Sequence, residues 1–220
     1  MSAELKSSAA RPIVCYVTDG SSLASTADLL PNVRRALDCG ADWIQIREKH
    51  LTAHVLLALS CEAVVLAQPA RARIFVNDRL DVALAAGANG VHFGGESIPV
   101  AAAVQWCRTG NASPDFAVGA SCHGFDDALA AERAGANYIF FGPVFETPSK
   151  RSFGAPQGLD RLEEICAALE IPVIAIGGVN QENAADCTRA GARGIAAIRL
   201  FQEDFKGEAL RNFITNFHAS

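Results

Sequence analysis

Cys39-Gly40-Ala41-Asp42-Trp43 recurs as Ala86-Gly87-Ala88-Asn89-Gly90, as Ala134-Gly135-Ala136-Asn137-Tyr138 and as Ala190-Gly191-Ala192-Arg193-Gly194. Each copy closes a helix-length segment with a glycine suited to a left-handed cap, and an apolar run begins after two intervening residues. The four glycines stand 47, 48 and 56 residues apart, the length of two strand–helix units. The copies therefore precede the second, fourth, sixth and eighth strands of an alternating chain.

Outward from these repeats, eight short runs rich in Val and Ile cover 13–18, 43–47, 73–76, 90–93, 116–120, 138–141, 173–176 and 194–198. Helix-length segments lie between them, among them 28–39, 53–67, 125–134 and 181–190. Near-continuous hydrophobicity in runs separated by helices is the pattern of parallel strands covered on both faces. Length and strand count favour an α/β fold consisting of one (β/α)8 TIM barrel over an open doubly wound sheet. The expected layout is a flexible N-terminal segment over 1–12 and a barrel domain over 13–220, with no interior linker.

Composition narrows the function classes. Of 220 residues, half are hydrophobic and 20% are charged, enough apolar surface for a substantial core and too much for a mainly disordered chain. The net charge of −5 offers no basic footprint for nucleic acid or an anionic membrane. No apolar run reaches a membrane-spanning length, and residues 1–10 are polar, without the apolar segment of a secretory signal. A cytoplasmic location is the expectation. The seven cysteines are an odd count with no CxxC pair, which argues against a disulfide framework or a zinc site. Most lie in apolar runs as small hydrophobes; Cys122, between Ser121 and His123, stands apart.

Chemistry in such barrels collects where the strands end. Polar residues follow most of the runs: Thr18-Asp19-Gly20, Asn77-Asp78-Arg79, Gly94-Gly95-Glu96-Ser97, Ser121-Cys122-His123 and Gly177-Gly178-Val179-Asn180. In the second run Gln45, Arg47 and Lys49 share one face at period two. An Arg fork beside a mobile Lys suits phosphate as an anion clamp, the competing reading being a salt bridge to Glu48 or another acid. The Gly177-Gly178 turn before a helix offers backbone N–H groups to a phosphate, or is a plain tight turn. Thr147, Ser149 and Lys150 lie on a Gly-bearing loop able to close over an anion. Asp78 and Glu96, after adjacent strands, form a carboxylate pair for Mg²⁺ or pair with Arg79 or Arg47. His123 is a candidate acid/base or phosphate donor, whereas His92, beside Phe93, is read as packing. Two phosphate cradles and a metal imply one substrate carrying a diphosphate and another carrying a phosphate.

These segments resemble the thiamine-phosphate synthase family and its relatives, the thiazole tautomerases. The resemblance rests on Gln45-Ile-Arg47-Glu-Lys49, Val76-Asn77-Asp78-Arg79, Gly90-Val-His92-Phe-Gly94, Gly142-Pro-Val-Phe-Glu-Thr147-Pro-Ser149-Lys150 and Pro172-Val-Ile-Ala-Ile-Gly177-Gly178, and it covers nearly the whole chain. It implies coupling of hydroxymethylpyrimidine diphosphate to a thiazole phosphate, with pyrophosphate leaving by a dissociative route. It further implies that Gln45, Arg47, Lys49, Asn77, Ser121 and Lys150 hold the diphosphate substrate. Asp78 is then a Mg²⁺ ligand, and Thr147, Ser149 and backbone at Gly177 and Gly178 hold the thiazole phosphate. Three positions depart from the family pattern: Gly95 stands where Gln is usual, Ser97 stands where a second acidic Mg²⁺ ligand is usual, leaving Glu96 to reach the metal, and Arg199 replaces a small Ser near the pyrimidine. The alternatives are a thiazole tautomerase with His123 as acid/base, and a non-catalytic barrel that binds a phosphate ligand. Partners are expected to be small phosphorylated substrates, with neither nucleic acid nor membrane; paired barrels, a homodimer, are compatible with the sequence.

Overall fold

The computed structural model describes residues 11–23, 25–147, 155–204 and 207–220. Eight parallel strands close on themselves in sequence order: β1 Ile13–Val17, β2 Trp43–Ile46, β3 Arg73–Asn77, β4 Gly90–Phe93, β5 Ala117–Cys122, β6 Tyr138–Phe141, β7 Val173–Ile176 and β8 Gly194–Ala197. The helices between and after them are α1 Leu29–Asp38, α2 Ala53–Ala67, α3 Leu80–Ala85, α4 Val100–Trp106, α5 Phe125–Arg133, α6 Gly158–Ala168, α7 Ala184–Arg189 and α8 Glu208–His218. The expected (β/α)8 barrel is observed. Three strands match the expected bounds and the other five differ by one or two residues, nearly all at their C-terminal ends; α7 is shorter than the expected 181–190, because Asn180 and Asn183 bond each other's backbone in a turn ahead of it. Of the expected N-terminal segment 1–12, residues 1–10 lie outside the described residues.

The repeats close the bottom of the barrel. Their glycines take φ values of 101°, 67°, 90° and 91° at 40, 87, 135 and 191, a region costly for residues with a Cβ. The polar residue two positions on then fastens its strand to the previous one. Asp42 accepts from Val14 N–H at 2.8 Å, Asn89 from Ile74 N–H at 2.8 Å and Asn137 from Val118 N–H at 2.7 Å. The fourth copy carries Arg193 at this place, and its guanidinium instead donates to the Arg11 carbonyl at 2.6 Å.

Two apolar layers follow from strand alternation. One lies between sheet and helices. The other fills the barrel and includes Ile13, Trp43, Phe75, Tyr138, Phe140 and Ile174. Trp43 meets Phe75 at 4.8 Å and Tyr138 at 4.9 Å between ring centroids. Small residues opposite make room: a Cβ at Gly119 would fall 2.1 Å from the Tyr138 ring, and one at Gly90 2.9 Å from Phe75. Tyr138 is fully buried and cannot retreat. Gly119→Ala is therefore expected to destabilise the protein by about 1–3 kcal/mol, the usual cost of overpacking, read as a fall in the urea midpoint; an unchanged midpoint would refute this packing account.

Candidate active site

Upward along β2, β3, β4 and β5, the inward positions change from apolar or glycine to polar, whereas those of β1, β6, β7 and β8 stay apolar. Trp43 is followed by Gln45, Phe75 by Asn77, Gly90 by His92, and Gly119 by Ser121. Gln45, Asn77 and His92 are buried, so each needs a polar partner. Gln45 Nε2 donates to Asn77 Oδ1 at 2.8 Å, and Asn77 Nδ2 donates to Asp78 Oδ2 at 2.5 Å. His92 bonds Ser121 Oγ through Nε2 at 2.9 Å and Tyr138 OH through Nδ1 at 3.2 Å. The packing role expected for His92 is observed, and it also holds Ser121 at the rim.

Asp78 adopts φ = 61°, left-handed backbone that Asp tolerates better than most residues. Its carboxylate accepts from Gly94 N–H at 3.2 Å and from the Ser97 hydroxyl, while Lys49 Nζ lies 3.9 Å away. Glu96 is exposed in the same turn, so Ser97, one residue on, is the side chain that reaches Asp78. Arg79 pairs with Asp81 at 2.5 Å rather than with Asp78. Among the described residues, no three His, Cys, Asp or Glu side chains gather as a metal cage. One carboxylate beside a hydroxyl still suits Mg²⁺, which commonly takes one or two carboxylates and completes its shell with water and substrate phosphate oxygens.

Of the acids in the competing reading of the clamp, Glu48 pairs with neither cation, whereas Asp78 lies 3.9 Å from Lys49. Alternation sends Glu48 to the opposite side of the strand from Arg47 and Lys49. Its side chain is 1% exposed. It accepts from Thr18 Oγ1 at 2.5 Å and from Gly20 N–H at 2.9 and 3.1 Å. Thr18 Oγ1 in turn accepts from Arg47 N–H at 2.9 Å. The carboxylate thus ties the β1 and β2 ends together. The Arg47 guanidinium is left without an ion pair among the described residues, and Lys49 faces Asp78.

The remaining expected positions fall around this rim. His123 Nδ1 meets the Gly142 carbonyl; a carbonyl only accepts, so Nδ1 carries the proton. Phe145 N–H donates to the Gly177 carbonyl at 2.9 Å and Val144 N–H to Ile176 at 3.0 Å, bringing the segment after β6 against the glycine turn. A Cβ at Gly177 would lie 2.6 Å from Pro143, and one at Gly178 2.6 Å from the Glu146 carbonyl. Close backbone approach alone therefore demands both glycines. Thr147 is buried next to this contact; Ser149 and Lys150 lie outside the described residues. Arg199 is exposed and Ile198 packs inward in its place. Burial pushes the Cys122 thiol up to about 12, so it is an inert core thiol. Sequence reading overlooked Thr18, Glu48 and the Ser97–Asp78 contact; the period-two alternation through Gln45, Arg47 and Lys49 already placed Glu48 on the other face.

This geometry defines an α/β-barrel protein whose strand C-termini gather Arg47, the Lys49–Asp78 ion pair and the amides of Gln45 and Asn77 at one rim. A family model described as thiamine monophosphate synthase matches residues 14–201. A thiamine-phosphate synthase of Chlorobium luteolum is 42% identical over 187 residues, covering 85% of this chain and 84% of the relative. That of Chloroflexus aurantiacus is 41% identical over 183 residues, covering 83% and 82%. The solved thiamine phosphate pyrophosphorylase from Pyrococcus furiosus superposes with a TM-score of 0.78 at 32% identity, over 93% of this chain and 96% of that one. The chain belongs to the thiamine monophosphate synthase family.

Glu48 yields a test of the rim. Glu48→Ala leaves the Gly20 N–H and Thr18 hydroxyl without their acceptor and is expected to cost about 1–3 kcal/mol. Burial raises the Glu48 pKa above its ordinary 4.5, so the folded protein keeps this proton to higher pH than the unfolded chain. Its contribution to stability therefore falls as pH rises from 4.5 through the raised value. Glu48→Gln is expected to gain on wild type across that window in urea titrations; parallel curves would refute the shift.

Proposed function

We propose that the protein is a thiamine-phosphate synthase, joining hydroxymethylpyrimidine diphosphate to a thiazole phosphate and releasing pyrophosphate. Family membership supports the reaction class. The observation that carries the site assignment is the withdrawal of Glu48 from Arg47 and Lys49 to Thr18 and Gly20, beside the Gln45–Asn77–Asp78 hydrogen bonds.

In this reading Arg47 and Lys49 hold the diphosphate oxygens, joined by Ser121 and Lys150, while Gln45 and Asn77 orient the pyrimidine end. The bond between the pyrimidine methylene carbon and the diphosphate oxygen breaks, and pyrophosphate takes the electron pair. The thiazole nitrogen lone pair then forms the new C–N bond to the methylene cation. Cations aimed at the departing oxygens favour this step because they meet charge as it develops. Thr147, Ser149 and backbone at Gly177 and Gly178 hold the thiazole phosphate, and His123, its Nδ1–H held by the Gly142 carbonyl, presents Nε2 to the same site as a proton acceptor. Asp78 is the carboxylate for Mg²⁺, with Ser97 beside it where Glu96 was the expected second ligand; the ion neutralises diphosphate charge when bound. The seven cysteines are all free, which suits a reducing cytoplasm, and among the described residues no helix is long and apolar enough to cross a membrane.

The deciding experiment supplies both substrates to the purified protein with and without Mg²⁺ and follows thiamine phosphate and pyrophosphate. Mg²⁺-dependent product is expected; a folded protein that forms none refutes the proposal. Arg47→Ala is expected to weaken diphosphate binding by about 1.5–3 kcal/mol, the scale of a hydrogen bond to a charged group, and unchanged affinity in calorimetry would remove Arg47 from the clamp. Asp78→Asn is expected to raise the Mg²⁺ concentration needed for half-maximal rate, whereas full activity of the wild type in excess chelator would end the metal assignment.

A further inference from the structure

The opposite end of the barrel holds a second concavity. A cavity of about 740 Å³ opens at the strand N-termini, walled by Arg11, Arg71, Arg73, Arg193 and Arg211. A chain of net charge −5 gathers five of its 19 Lys and Arg side chains here. Among the described residues, Asp38 and Asp42 are the carboxylates on its wall. Asp42 is already engaged, by Arg11 at 2.5 Å, Val14 N–H at 2.8 Å and His218 Nε2 at 2.8 Å.

The other four guanidiniums form no ion pair among the described residues. Three are aimed by main-chain carbonyls, which orient a cation without neutralising it. Arg73 donates to Asp115 at 2.8 Å and Asn89 at 3.5 Å, Arg193 to Arg11 at 2.6 Å, and Arg211 to Asp38 at 3.3 Å. The Arg211 contact also caps the end of α1, an ordinary structural role; it accounts for none of the others. Arg193 Nε is buried and has no hydrogen-bond partner, a costly state for a charged group. Burial holds Arg73 and Arg193 below the usual arginine range, with Asp115 and Asp42 offsetting part of that effect. Arg71 reaches the wall from backbone at φ = 53°. Arg193 is also the one repeat copy in which a cation replaces the Asp or Asn that staples two strands.

We infer that this cavity binds a small molecule carrying a multiply charged phosphate group, at a site separate from the strand C-termini. Guanidinium forks match phosphate oxygens, the volume lies in the range of small-molecule sites, and Ile13, Leu37 and Trp43 on the wall accept an apolar body. The inference does not depend on the reaction proposed above.

Inorganic tripolyphosphate is the probe, titrated calorimetrically without divalent cations into wild type, Arg47→Ala and the double variant Arg71→Gln/Arg211→Gln. Both residues of the double variant are exposed, so its fold is expected to persist, as checked by thermal melting; Arg71→Lys/Arg211→Lys serves as the charge-retaining control. The wild type is expected to show saturable binding that survives Arg47→Ala. In the double Gln variant it should weaken about tenfold or more, the scale of one lost charged hydrogen bond, with the Lys pair in between. Binding that disappears with Arg47→Ala, binding equal in wild type and the double Gln variant, or heats without saturation would each overturn the inference. Failure of the clamp is read separately, from diphosphate-substrate affinity with Mg²⁺ present: if Arg47→Ala leaves that unchanged while the double Gln variant loses tripolyphosphate, the cavity stands and the clamp fails.

Discussion

Barrel closure leaves each side chain on a strand two directions, into the barrel or out toward the helices, and the chain cannot choose a third. Every strand has a hydrogen-bonded neighbour on both edges, so a register slip would carry aromatic residues outward and polar ones into the apolar layer. Trp43, Phe75 and Tyr138 fill the lower interior, where Gly90 and Gly119 leave space for the rings. Once those rings are in place, the next inward positions are forced to the upper mouth. That is how Gln45, Asn77, His92 and Ser121 come to meet although they are far apart in the chain.

The same alternation sorts charge. In Arg47-Glu48-Lys49 three charged groups are adjacent, and in a flexible peptide they would neutralise one another. Past the strand end, Glu48 turns away to Thr18 and Gly20, so neither Arg47 nor Lys49 is paired with it and Lys49 faces Asp78 instead. Burial raises the Glu48 pKa, while the Thr18 and Gly20 hydrogen bonds act the other way; its role is to hold the rim rather than to react. Asp78 is supported differently, by donors from Asn77, Gly94 and Ser97 that stabilise a carboxylate next to Lys49.

At the strand N-termini the repeat's polar position is used in two contrasting ways. Three copies spend an Asp or Asn side chain on a neighbouring strand's backbone. The fourth places a guanidinium at a cationic concavity, so a position that is structural in three units carries charge without a staple in the last. Glycines show a similar double use at the other end. Gly177 and Gly178 suit phosphate approach, yet Pro143 and Glu146 already exclude a Cβ there.

The barrel was legible in the sequence because its evidence is local: a glycine cap, a two-residue step and an apolar run, repeated at one spacing. The inward facing of Gln45 was equally legible, since period two is a property of any strand, but β2 ends at Ile46 and Lys49 lies in the turn beyond it. Three features were not: the withdrawal of Glu48 to Thr18, the reach of Ser97 rather than Glu96 to Asp78, and the exposure of Arg199 with Ile198 inward. Each depends on which residues from distant segments share a small volume, and on which backbone donors closure delivers there. Sequence alone determined the alternation and the stock of charged groups; tertiary structure decided which charges are neutralised, because pairing depends on distances that only the closed barrel sets.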